Sequence, residues 1–238
     1  MTKIMPTFEE IYAQHAAEYD ALVSREDYQH RLLPAIEQII PLAGIDVVEM
    51  GAGTGRITKL FAPRVKSIRA FDASAHMLSE AEKSIKVLGL TNVTLQVARN
   101  NALPVEDASA DLAIAGWSFG HATGWNPDGW RDEIRAAVRE MRRVLRPTGT
   151  AIIIETMGTG STEPAPPNAA LADYYHLLET ELGFSATSIR TDYQFQSLEE
   201  AQWLTGFFFG DEMRERVTAN QWVILPECTG IWWAKKSP

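Results

Sequence analysis

The stretch Val47-Val48-Glu49-Met50-Gly51-Ala52-Gly53-Thr54-Gly55-Arg56-Ile57-Thr58 runs from an apolar strand through three alternate glycines into an amphipathic helix. Glycine has no Cβ, so positions 51, 53 and 55 are free to take positive φ and to admit a ligand against the main chain. The helix that follows opens with unpaired N–H groups. A dinucleotide fingerprint wants glycine at the first, third and sixth positions, and here the sixth is Arg56, which argues against a nicotinamide-linked oxidoreductase. Glu49, two residues before the first glycine, suits a ligand with positive charge near the turn and would repel a pyrophosphate.

Outward from this turn the chain alternates strand and helix. Strands are predicted near 46–50, 67–71, 93–97, 111–115 and 150–155. Helices are predicted over 55–62, ended at Pro63, over 75–88, ended at Gly89, and on the apolar stripe of Ile134, Val138, Met141 and Leu145. That alternation implies a parallel sheet with right-handed crossovers. Residues from about Thr7 to Ile40 read as two helices, with Phe8, Ile11, Tyr12 and Tyr19 on one and Leu32, Leu33, Ile36 and Ile39 on the other. The glycine- and proline-laden 158–168 stretch reads as a loop leaving the carboxyl end of the fifth strand, where ligands of open α/β sheets sit. A helix over 168–181, a strand-like 186–195, a helix over 197–208 and a last strand within 221–235 follow. The expected fold is therefore one α/β domain: a helical cap (1–43), a ligand-binding core (44–156) and a substrate-side region (157–238).

Asp72 ends the second predicted strand, 21 residues after Gly51. An acid there is placed to accept hydrogen bonds from both hydroxyls of a ribose, and a free 2′-OH is what adenosyl cofactors present. Four blocks, VVEMGAGTGRIT (47–58), AFDAS (70–74), NALPVEDASADLAIAGWSFGH (101–121) and EMRRVLRPTGTAIIIET (140–156), together resemble class I S-adenosylmethionine-dependent methyltransferases. The resemblance is to the small-molecule subgroup that includes the ubiquinone and menaquinone enzymes, and it spans roughly residues 40 to 156. It implies a doubly wound, mostly parallel seven-stranded Rossmann-like sheet whose last strand inserts antiparallel. It also implies S-adenosylmethionine as cofactor and transfer of its methyl to a small organic acceptor. The alternative is a protein that binds the cofactor without methyl transfer, as a regulator or partner.

Composition narrows the partners. A net charge of −9 opposes nucleic-acid binding, which needs clustered Lys and Arg. No apolar run is long enough to span a bilayer. The first twenty residues carry neither a signal-peptide core nor a transit pattern, and the single Cys228 forbids an intrachain disulfide, so a cytoplasmic home is expected. His15, His30, His76 and His176 show no metal-ligand spacing, so no metal is expected. A homodimer stays open.

Methyl transfer from a sulfonium needs positioning more than reactive side chains. The expected cofactor contacts are Glu49, Gly51, Ala52, Gly53, Gly55, Asp72, Ala73, Asn100 and Trp117. Glu49 would meet the amino-acid end, Asp72 the ribose, and Trp117 the sulfonium through cation–π attraction. The family's acid before the Leu-Pro pair is replaced by Arg99, which leaves Asn100 or Asn101 to accept from the adenine amino group. His121 is the candidate general base. Tyr12, Tyr19, His121 and Tyr193 are the candidate acceptor contacts, with Trp125, Trp130, Tyr174, Tyr175 and Phe195 as further aromatics for a planar or lipophilic acceptor.

Overall fold

The computed structural model describes residues 8–236, with side chains from Glu10 onward. The expected helical position Phe8 therefore has a side chain outside the described residues. Strands β1 (Asp46–Met50), β2 (Ser67–Asp72), β3 (Val93–Val97), β4 (Ala110–Gly116), β5 (Leu145–Thr159), β6 (Ser185–Arg190) and β9 (Glu227–Lys235) form one sheet in the order β3-β2-β1-β4-β5-β9-β6. Pairs β1·β2, β1·β4, β2·β3 and β4·β5 are parallel, and β9 lies antiparallel between β5 and β6. This is the doubly wound arrangement with one inverted strand. The expected strand over 186–195 divides. Its first part is β6, while β7 (Tyr193–Gln194) pairs with β8 (Ile224–Leu225) as a separate two-stranded ribbon.

Strands buried on both faces must be apolar at successive positions. Val48, Met50, Ala113, Ala115 and Ile153 face α7 (Trp130–Val144) and α8 (Ala169–Thr180). Val47, Ile68, Leu112, Ile114 and Ile152 face the other way, onto α3 (Leu32–Glu37), α4 (Arg56–Phe61) and α5 (Ala75–Val87). The first expected helix breaks at His15 (φ −127°, ψ 36°), which separates α1 (Phe8–Gln14) from α2 (Ala16–Val23). Ser74 begins α5 by accepting from the Met77 N–H at 3.2 Å, and Asn168 and Ser197 do the same for α8 and α9 (Leu198–Phe208). An unforeseen helix, α10 (Asp211–Asn220), packs on α9 through Met213 and Val217. A 3₁₀ turn (Phe119–His121) and the short α6 (Ala122–Trp125) lie between β4 and α7.

Candidate active site

At the carboxyl ends of β1, β2 and β4, beneath α1 and α2, lies a cavity of about 710 Å³. Its wall contains Tyr12, Tyr19, Glu49, Gly51, Ala52, Gly53, Asp72, Ala73, Asn100, Trp117 and His121 from the expected set, together with Thr54, Arg56, Arg99, Ser118 and Trp125. The size suits a cofactor-sized ligand.

The glycine turn is lashed to β2: the N–H groups of Gly51 and Ala52 both donate to the Phe71 carbonyl, at 2.8 and 2.9 Å. Gly51 has φ +74°, and a Cβ there would sit 1.9 Å from Ser118 Oγ, so no other residue lets the β1 and β4 ends approach this closely. Ser118 in turn accepts from Asn100 Nδ2 at 3.0 Å, which presents Asn100 at the same wall. Gly55 is a correction. It does not line the cavity, and a Cβ there would lie 3.2 Å from Ala81 Cβ. Its bareness lets α4 lie close against α5, which is a packing requirement.

Asp72 is held by two backbone donors, Gly53 N–H to Oδ2 (2.8 Å) and Ser74 N–H to Oδ1 (2.7 Å). A carboxylate offers about four lone-pair sites, so each oxygen can still accept from a ligand. Burial raises the Asp72 carboxyl above its ordinary value, against these two hydrogen bonds. Glu49 is 2 % exposed and receives one side-chain hydrogen bond, from Thr58 Oγ1 at 2.5 Å. With no cation beside it, burial pushes its carboxyl up to about 8, so it holds a proton at neutral pH. Tyr19 arches over Gly53, its ring edge 4.0 Å from the place a Cβ would occupy.

The opposite wall is aromatic. Trp117 takes φ +49°, a left-handed conformation costing about 1–3 kcal/mol for a bulky residue, and is pinned by its N–H to the Ile154 carbonyl at 2.7 Å. Its ring already carries a cation: the Arg56 guanidinium lies 3.7 Å from the centroid and pairs with Glu26 at 2.8 Å. His121 Nε2 meets the Tyr12 hydroxyl at 2.9 Å, and its ring also bonds the Trp117 backbone. An imidazole N–H donated to that backbone leaves Nε2 as the acceptor, so Tyr12 donates; this tautomer follows from the network. Burial drives His121 down to about 4, keeping it neutral with Nε2 as the acceptor toward Tyr12. Trp125 stacks on His121 (4.8 Å, 12°) yet is 49 % exposed.

Tyr193 is the second correction. It is 5 % exposed in a separate cluster with Leu22, Phe195 and Leu204, and its hydroxyl is engaged by Glu26, away from the cavity. An aromatic residue reads alike from sequence whether it faces a ligand or a core. Arg56 is a gain: it appeared in the sequence only as the residue that spoils a dinucleotide fingerprint, whereas Trp125, one of the further aromatics, does line the cavity.

Residues 48–153 match a family model described as a methyltransferase domain. That stretch is a class I S-adenosylmethionine-dependent methyltransferase domain. Among its relatives, the uncharacterized protein YafE of Escherichia coli is 33% identical over 110 residues, 46% of this chain and 49% of YafE. The ubiquinone/menaquinone biosynthesis C-methyltransferase UbiE of Rubrivivax gelatinosus is 28% identical over 148 residues, 61% of this chain and 54% of that protein. The chain thus spans about half the length of these curated relatives. The crystal structure of YcgJ from Bacillus subtilis shares the fold, with a TM-score of 0.62 at 16% identity over 89% of this chain and 100% of that one.

A class I methyltransferase takes S-adenosylmethionine, and the wall of this cavity fits it. Two buried atoms, Thr54 Oγ1 and Arg56 Nη2, make no hydrogen bond among the described residues, although unmade hydrogen bonds at buried groups are costly. Both belong to residues lining the cavity, where a carboxylate would satisfy them. Glu49 lacks a cation, which an α-ammonium would provide. Asp72 has acceptor capacity for two ribose hydroxyls. Among the described residues no helix is long and apolar enough to cross a membrane.

Proposed function

We propose that the protein transfers a methyl group from S-adenosylmethionine to an oxygen or an acidic carbon of a small, planar, uncharged acceptor. The observation that carries this reading is the neutral His121 at the aromatic wall, its Nε2 lone pair met by Tyr12 at 2.9 Å. A nucleic acid would call for a basic surface, which the net charge of −9 opposes.

Bound at this wall, the cofactor supplies an electrophilic methyl on a sulfonium. Asp72 would hold the ribose, Glu49 and Thr54 the amino-acid end, and Asn100 the adenine edge, so the methyl is presented at a fixed place. Positioning of this kind is worth about 7–11 kcal/mol. Trp125 gives the acceptor a face to stack on, and Tyr12 and Tyr19 exclude water from above. On taking the methyl, the acceptor would have to lose a proton. His121 Nε2 receives it, with the Tyr12 hydroxyl giving up its bond. The burial that holds His121 down to about 4 then makes it return the proton to solvent.

The test is production of S-adenosylhomocysteine from a panel of phenols, enols and amines. Phenols or enols should be turned over, and Trp125→Ala should raise the acceptor KM about fivefold, the stacking contribution being about 1 kcal/mol. A preference for amines would refute the acceptor class. Cofactor binding without turnover of any acceptor would favour a regulatory role.

A further inference from the structure

The acceptor wall hangs on a group outside the cavity. Glu155, in β5, is 4 % exposed, and its carboxylate collects donors from the segment that carries the wall. Gly120 N–H donates to Oε1 at 2.8 Å, the Phe119 backbone adds another bond, and the Tyr174 hydroxyl of α8 approaches Oε1 at 3.3 Å. The contact is close enough to dictate sequence: a Cβ on residue 120 would lie 3.0 Å from Oε2. One residue further on stands His121, stacked on Trp125. The 3₁₀ turn and α6 are only three and four residues long, and the ionised carboxylate ties them to β5 from outside the segment.

We infer that Glu155 is a positioning residue: its carboxylate fixes the 119–125 segment so that His121 and Trp125 face the acceptor, and it governs turnover while leaving cofactor affinity alone. The inference rests on the proposed acceptor chemistry at His121. Burial raises the Glu155 carboxyl to about 7, and the ionisable groups facing it are the hydroxyls of Tyr12, Tyr174 and Tyr175, none of them a cation. Its hold on the segment therefore strengthens as pH rises through about 7.

Three variants test this. Glu155→Ala should lower kcat about 10²-fold, as a displacement of about 1 Å in a reacting group does. Glu155→Gln, which keeps one acceptor oxygen, and Tyr174→Phe, which keeps the carboxylate, should each lose about tenfold or less. S-adenosylhomocysteine affinity should stay within twofold in all three. Independently of turnover, the Gly120 amide resonance should titrate with a midpoint near 7 in the parent and lie flat in Glu155→Gln. A fall in cofactor affinity parallel to kcat would mark a general structural role and overturn the inference, as would a Gly120 amide that ignores both pH and substitution. If the parent turns over no acceptor, the methyl-transfer reading fails, and the Gly120 titration decides the positioning claim by itself.

Discussion

Binding of the cofactor should expel a proton from Glu49. In the free protein this carboxyl titrates at about 8, so at pH 7 it is protonated in about nine molecules of ten. An α-ammonium placed beside it lowers a carboxyl by about 1–3 units, to between about 5 and 7. The bound state then holds about 0.5 to 0.01 proton at that pH, so binding releases about 0.4 to 0.9 proton. A shift of two units makes the ionised acid worth about tenfold in affinity at pH 7 and about twofold at pH 6, so binding should tighten about fivefold over that unit. Titration calorimetry of S-adenosylhomocysteine at pH 7, in buffers of different ionisation enthalpy, reads the proton release as the slope of apparent enthalpy. The parent should give that slope, and Glu49→Gln should give a slope near zero with about tenfold weaker binding. A parent slope of zero, or an unchanged slope in Glu49→Gln, would refute the assignment of Glu49 to the cationic end.

Three further outcomes follow from the same geometry. Gly51→Ala forces a Cβ to within 1.9 Å of Ser118 Oγ at φ +74°, so S-adenosylhomocysteine binding should fall more than 100-fold and the melting temperature should drop. His121→Ala should lower kcat by about 10²-fold or more, as loss of a general base does, with cofactor affinity unchanged by calorimetry. Glu49 and Glu155 both have folded-state values above the ordinary carboxyl value of 4.5, so the stability they contribute is complete below about 4.5 and is lost as pH rises through about 7 to 8. The ligand-free melting temperature should fall from pH 6 to pH 9, and a flat profile would contradict burial as the dominant influence on these two acids.

The five parallel strands of the core and their crossovers were legible because short apolar segments alternate along the chain with helices that carry a 3.6-residue stripe. Asp72 was legible because its place at a strand end needs no tertiary information. The side of a glycine that matters was not legible: Gly51 and Gly55 occupy the same motif, yet one clears Ser118 and the other clears Ala81. Tyr193 was misplaced because a ring's destination depends on the packing of α9 and α10, and α10 itself buries only Met213 and Val217 in a polar run. Glu155 gave no signal, since its partners include the Gly120 N–H, 35 residues away along the chain, and the Tyr174 hydroxyl, 19 residues away.

The central claim is that Asp72, fixed by the Gly53 and Ser74 N–H groups, clasps the ribose of an adenosyl ligand. Calorimetric titration of S-adenosylhomocysteine into the parent and into Asp72→Ala tests it most directly. Two hydrogen bonds to a charged acceptor are worth about 1.5–3 kcal/mol each, so the variant should bind at least about 10²-fold more weakly. Equal affinity in the two proteins, or no heat in either, would contradict the account.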